Sequence, residues 1–252
     1  MDRLIRLAGT IVTAWTLSAA CAVAADLVPV KAAPAPYAQG PWVNAFGGFA
    51  VSPDSWFADA GAVFAFNHNL HSPGWLLRIR GGDGHYDYNR SATFQQGVNY
   101  QVGEAMLGYQ TFLGAVRLSG YVGANVEHHD NDDPLAKVAG TKWGVKVQGE
   151  VYAPLAEGWY AFFLGTYSTA FNSYFTIGKL GYRIAPVVAI GPEVAALGND
   201  RFDAVRTGPF IAFDIYTETQ LIFSGGYTWD TRKDAFNNHS GEYFTAHFRT
   251  NF

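Results

Sequence analysis

Between Lys142 and Leu155 the chain reads KWGVKVQGEVYAPL, and its side chains sort by parity. Trp143, Val145, Val147, Gly149, Val151 and Ala153 fall on one side of an extended chain, and Lys142, Gly144, Lys146, Gln148, Glu150 and Tyr152 on the other. A period of two is that of a strand with one apolar face. VRLSGYVGANVEHH repeats the pattern, with Val116, Leu118, Val122, Ala124 and Val126 set against Arg117, Ser119, Tyr121, Asn125 and Glu127. Both runs exceed the five or six residues usual in a sheet of a soluble protein. Both suit the nine to eleven residues that a tilted strand needs to cross a bilayer.

GWLLRIRGG sets Trp75, Leu77 and Ile79 against Arg78 and Arg80, and TQLIFSGGYTW sets Leu221, Phe223, Tyr227 and Trp229 against Gln220, Ser224 and Thr228. The same pattern marks out about twelve strands, over residues 42–51, 55–66, 74–83, 99–110, 115–128, 142–154, 159–168, 174–184, 187–197, 204–215, 219–229 and 242–252. In the last, Phe244, Phe248 and Phe252 face lipid while Thr245, His247 and Arg249 face inward, and a terminal aromatic is typical of strands read by outer-membrane assembly machinery.

Periodicity alone fits two architectures, a soluble sandwich and a transmembrane barrel whose apolar parity faces lipid and whose charged parity lines a lumen. Connection lengths favour the barrel. GDGHYDYNRSATFQQG, HDNDDPLAKVAGT and DTRKDAFNNHSGE fall on one side, LGA, LAEG, AP and TE on the other, as expected of long extracellular loops and short periplasmic turns. NHNLHSPG is too long for its side. Trp42, Trp56, Trp75, Trp143, Trp159 and Trp229 fall at or near strand ends, where amphipathic rings form belts at the headgroup level. The prediction is an all-β chain folded as a monomeric antiparallel transmembrane β-barrel of about twelve strands, both termini periplasmic, in contact with outer-membrane lipid and lipopolysaccharide.

The front of the chain has another character. Arg3 and Arg6 precede an apolar run closing on Ala22-Val23-Ala24, so residues 1–24 read as a secretory signal peptide with an A-x-A cleavage site. Cys21 leaves with it, which excludes a disulfide framework. Residues 25–41, rich in Pro and Ala, read as a periplasmic linker, and 42–252 as the barrel. Aromatic residues at 16 %, 28 glycines and charged residues at only 15 % oppose both disorder and a helical bundle. A net charge of −4 with no basic excess gives no sign of nucleic acid.

GKLGYRIAPVVAIGPEVAALGNDRFDAVRTGPFIAF, residues 178–213, resembles the cellulose biosynthesis protein family whose S component is an outer-membrane protein found with bacterial cellulose synthase genes. LGYRIAP, GPEVAALGN and Arg206 carry the resemblance, with KWGVKVQGEVYAP upstream and SGGYTWD then GEYF downstream. It implies a non-enzymatic barrel accessory to cellulose biosynthesis or export, with a glucan chain and cellulose secretion components as partners. ADLVPVKAAPAPY is similar instead to the start of small rhizobial porin-like proteins, which keeps a general porin-like or structural barrel as the alternative.

The inward parity gathers Arg78, Arg80, Arg117, Lys146, Glu150, Lys179, Arg183, Glu193 and Arg206, with Glu104, Glu127, Lys142 and Asp214. Such a set is either a mutually paired polar lining or a surface for sugar or small solutes. About twelve strands make a narrower barrel than the porins with open channels, which predicts a plugged or tightly lined interior. Glu193, the one carboxylate of its strand, has Lys179, Arg183 and Arg206 on flanking strands as partners. Tyr86, Tyr88 and Phe236, in long outer loops, are the candidates for stacking on glucan.

EHHDNDDP, residues 127–134, lacks the spacing and glycine of a calcium loop, so no metal site is expected there. His239 beside Ser240 has no third orienting group, and no catalytic residue or cofactor is assigned.

Overall fold

The structure, a computed structural model, describes residues 40–91, 94–231 and 240–252. The predicted signal peptide and most of the predicted linker lie outside them. Every regular element is a strand: β1 (Val43–Ser52), β2 (Ser55–Ala65), β3 (Gly74–Ser91), β4 (Phe94–Leu113), β5 (Val116–Asp130), β6 (Gly140–Pro154), β7 (Trp159–Ser168), β8 (Tyr174–Ala185), β9 (Val188–Gly198), β10 (Asp203–Tyr216), β11 (Thr219–Asp230) and β12 (Gly241–Asn251). Each pairs antiparallel with its sequence neighbours, and β1 pairs with β12 to close the barrel.

That seam runs in unbroken register from Asn44 opposite Asn251 to Val51 opposite Phe244. The amides of Trp42 and Val43 both donate to the Phe252 carbonyl at 2.9 Å. Closure leaves no strand edge unpaired, a requirement for backbone in hydrocarbon.

Parity sorts the side chains as the sequence predicts. Trp75, Val122, Val145, Phe163, Val194 and Phe248 are exposed on the outer wall, while Arg80, Glu104, Gln148 and Glu193 turn inward. An apolar outer wall is stable against lipid and not against water. The end holding Val43 and Phe252 is called proximal here, and the opposite end distal. Trp42, Trp75 and Trp159 ring the proximal end, and Trp56, Trp143 and Trp229 the distal end, all of them exposed.

Two features depart from the sequence reading. Within GDGHYDYNRSATFQQG, residues 82–91 and 94–97 are strand and not loop: β3 and β4, of 18 and 20 residues, stay paired from Gly74 opposite Gln110 to Ser91 opposite Phe94. The overlong NHNLHSPG connection folds back into the proximal mouth. Leu70 packs there with Val63, Ala65, Leu76, Met106 and Tyr121, and the buried Gln110 amide donates to the carbonyls of Leu70 (2.9 Å) and Ser72 (2.7 Å).

Candidate functional site

Inside the wall runs one cavity of about 930 Å³. Its lining reaches from Asp54 and Asp230 at the distal mouth to Ala115 and Thr217 in proximal turns. The cavity thus touches turns at both ends of the barrel, and the 66–73 segment lies in the proximal mouth. His71 of that segment reaches across to Glu218 in the β10–β11 turn, Nε2 to Oε1 3.1 Å, and Glu218 also accepts from Asn251 at 2.6 Å.

Two ion-pair groups occupy the lumen. On β2–β6, Glu104 accepts from Lys146 Nζ at 2.6 Å and Arg78 Nε at 3.1 Å, with Arg80 Nη1 at 3.6 Å. Arg80 Nε also donates to Asp59 at 2.8 Å. The guanidinium of Arg78 lies 4.4 Å from the Phe46 ring centre and that of Arg80 5.3 Å from Phe57. On β8–β12, Glu193 is held by Lys179 (2.7 Å), Ser224 (2.8 Å) and the Tyr243 hydroxyl (3.0 Å). Three donors satisfy this 3 %-exposed carboxylate.

The other predicted lumen residues scatter. Arg183 lies at the proximal rim, paired with Asp214 at 2.5 Å and donating to the Pro186 carbonyl at 2.8 Å. Lys142 lies near the distal rim, its Nζ 5.2 Å from the Phe171 ring. Arg206 does not reach Glu193; its Nη2 donates to Ser52 Oγ at 3.0 Å and its guanidinium lies 5.4 Å from the Tyr243 ring. Arg117 and Glu150 both line the cavity, with Glu150 accepting from Gln148 at 2.6 Å. The wall on β7 and β8 is apolar, with Phe162, Leu164, Phe175 and Ile177.

The distal mouth is aromatic. Tyr86 and Tyr88 lie on the extended β3, not in a loop, because that strand continues beyond the predicted boundary, and both line the cavity. Phe236 lies outside the described residues. Tyr100 stacks on Phe57 (5.4 Å, 8°) and His129 (5.3 Å, 8°), and Tyr86 lies 5.7 Å from Tyr100. His129 meets Phe171 edge-on at 5.0 Å. Polar groups edge the rings: Tyr86 is hydrogen-bonded to His129 (3.3 Å), Tyr88 donates to Asn131 and Asp133 (both 3.1 Å), and Glu127 accepts from Ser173 (2.6 Å) and Asn125 (3.0 Å).

Asp59, Phe57, Tyr100 and Tyr243 were missing from the sequence candidates. The signal was present, since Ser55, Phe57, Asp59 and Val63 share one parity of SWFADAGAVFA, opposite to exposed Trp56.

The alternation of β5 splits EHHDNDDP, sending Glu127 and His129 to the lumen and leaving His128 and Asp130 exposed. Among the described residues no three His, Asp or Glu side chains are placed to hold a metal ion. Ser240 Oγ accepts from the Asp230 amide at 3.0 Å, and His239 lies outside the described residues.

A closed antiparallel barrel with a lipid-facing apolar wall, tryptophan at both ends and a charged lumen is an outer-membrane β-barrel. Its family is equally plain: the chain belongs to the family of cellulose biosynthesis protein BcsS, whose model matches residues 44–252. No curated protein matches. Among solved structures the chain is similar to the KdgM porin (10 % identity, 83 % of this chain and 99 % of that one, TM-score 0.47). It is also similar to the beta domain of the Bordetella autotransporter BrkA (14 %, 84 % and 99 %, 0.48) and to an outer-membrane channel from Pseudomonas putida F1 (12 %, 90 % and 100 %, 0.40).

Proposed function

We propose that this barrel serves cellulose biosynthesis without catalysis, by offering the aromatic distal mouth of its lumen to the glucan chain, with both termini in the periplasm. One observation carries the reading: the rings of Phe57, Tyr86 and Tyr100 are contiguous and line the cavity, backed by the buried His129 and edged by Glu127, Tyr88 and Asn131. A β-linked glucan has apolar C–H faces and hydroxyl edges. Rings meet the first and hydrogen-bonding groups the second. Family membership supports the setting.

The test is titration of the purified barrel with a cello-oligosaccharide, followed by intrinsic fluorescence. Tyr86→Ala and Tyr100→Ala are each expected to weaken binding about 2- to 10-fold, the contribution of one ring contact. Unaltered binding by both variants, together with unchanged cellulose output from a deletion strain, would overturn the reading.

A second reading, passage of small solutes, is favoured by the cavity that reaches turns at both ends of the barrel.

A further inference from the structure

We infer that Arg117, Arg206 and Arg249 are sites in the lumen that hold a carboxylate- or phosphate-bearing solute. The inference rests on the solute-passing reading.

The lumen cations fall into two groups. Arg78, Arg80 and Lys146 share Glu104 and Asp59, and Lys179 has Glu193. Arg117, Arg206 and Arg249 all line the cavity, and among the described residues none has a carboxylate within ion-pair distance. Arg206 has one neutral partner, Ser52, and its buried Nε meets no acceptor.

A lysine or carboxylate left so could shed its charge, but a guanidinium stays protonated. An unpaired charge beside a low-dielectric wall recruits a counterion, and a narrow cavity with such walls concentrates the field. Arg117 on β5 and Arg249 on β12 stand on nearly opposite walls, five strands apart by one path around the barrel and seven by the other. Both stand at the proximal end, Arg117 at the start of β5 and Arg249 near the end of β12, and both line the cavity, so an anion between them is held from two sides.

Carboxylates lining the lumen are at least as numerous as its cations, Asp54 and Asp214 among them, but among the described residues none pairs with these three arginines. The Glu104 cluster itself carries three cations against two carboxylates. Glu150 is bonded to Gln148, and Glu127 lies at the distal mouth beside His129. Glu218 at the proximal mouth is engaged by His71 and Asn251. Asp87 and Asp230 also line the distal mouth.

The purified full-length barrel is placed in planar bilayers under a KCl gradient, and the reversal potential is read. Arg117→Gln with Arg249→Gln should lower the chloride-to-potassium permeability ratio roughly fourfold per charge removed, the factor for a unit charge about 5 Å away in water. Arg249→Lys should keep the wild-type ratio. Citrate and inorganic phosphate, added separately, should each reduce the chloride current, and the more effective one identifies the acid group. The double variant should lose that block, while Arg206→Gln should weaken it alone. A heat-shifted band on electrophoresis certifies each variant as folded. A ratio unmoved by the double variant, or a chloride current that neither citrate nor phosphate reduces, overturns the inference and leaves the solute-passing reading standing. A complete absence of step conductance overturns both.

Discussion

Glu104 shows how much one side chain can organise in a barrel lumen. Three cations from β3 and β6 meet on this 3 %-exposed carboxylate, so removing its charge leaves them facing Asp59 alone. Glu104→Gln is expected to destabilise the barrel by about 3 to 5 kcal/mol, as breaking a buried pair does. It should be read as a lower temperature for the heat-induced band shift. Asp214→Asn removes an ion pair whose side chains are 29 and 39 % exposed, and should change stability by about 0 to 1 kcal/mol. If the two variants unfold alike, the lumen is too wet for the buried pair to matter. Parity in the sequence makes Glu104, Lys146, Glu193 and Lys179 inward-facing. Their partnerships are not equally legible, because Lys179 and Glu193 are opposed on neighbouring strands whereas Lys146 lies two strands from Glu104 and meets it only through the curvature of the wall.

At the level of elements, the β3–β4 hairpin explains why its own sequence misleads. Gly82, Gly84, Asp83 and Asn89 read as turn-formers, yet the two glycines give flat wall on which rings lie. A β-carbon on Gly84 would meet the Tyr100 ring at 2.6 Å, and one on Gly82 the Phe57 ring at 2.5 Å. The same device recurs at Gly108 beneath Tyr121 (2.3 Å) and Gly181 beneath Tyr160 (2.2 Å), where an aromatic covers a bare stretch of the neighbouring strand. Gly181→Val should drive the Tyr160 ring into the lumen, reducing conductance and lowering the unfolding temperature. A variant with wild-type conductance would show that the ring can move aside. The 66–73 connection is legible as an anomaly of length but not as a constriction, since its fit depends on Gln110 and Met106 of β4.

For the whole molecule, strand number, parity, closure and the tryptophan belts are all legible in the sequence, because a period of two is imposed by lipid on one face and water on the other. The shape of the lumen is not, since it depends on rings lying flat against glycines and on which charges pair along the walls. A barrel without a free edge predicts resistance to detergent: unheated protein should migrate on denaturing electrophoresis as a compact band that shifts only on boiling. A single mobility at all temperatures would contradict closure. The rim of this barrel is uneven. β3 and β4 run to 18 and 20 residues where β7 has only 10, an excess of roughly 25 to 35 Å along the strand direction at about 3.3 Å per residue. The tall side carries Tyr86 and Tyr88, while β9 joins β10 through the low turn 199–202. A polymer or solute leaving by this end would meet a parapet on one flank and open water on the other, so its departure would have a compass direction as well as an axial one.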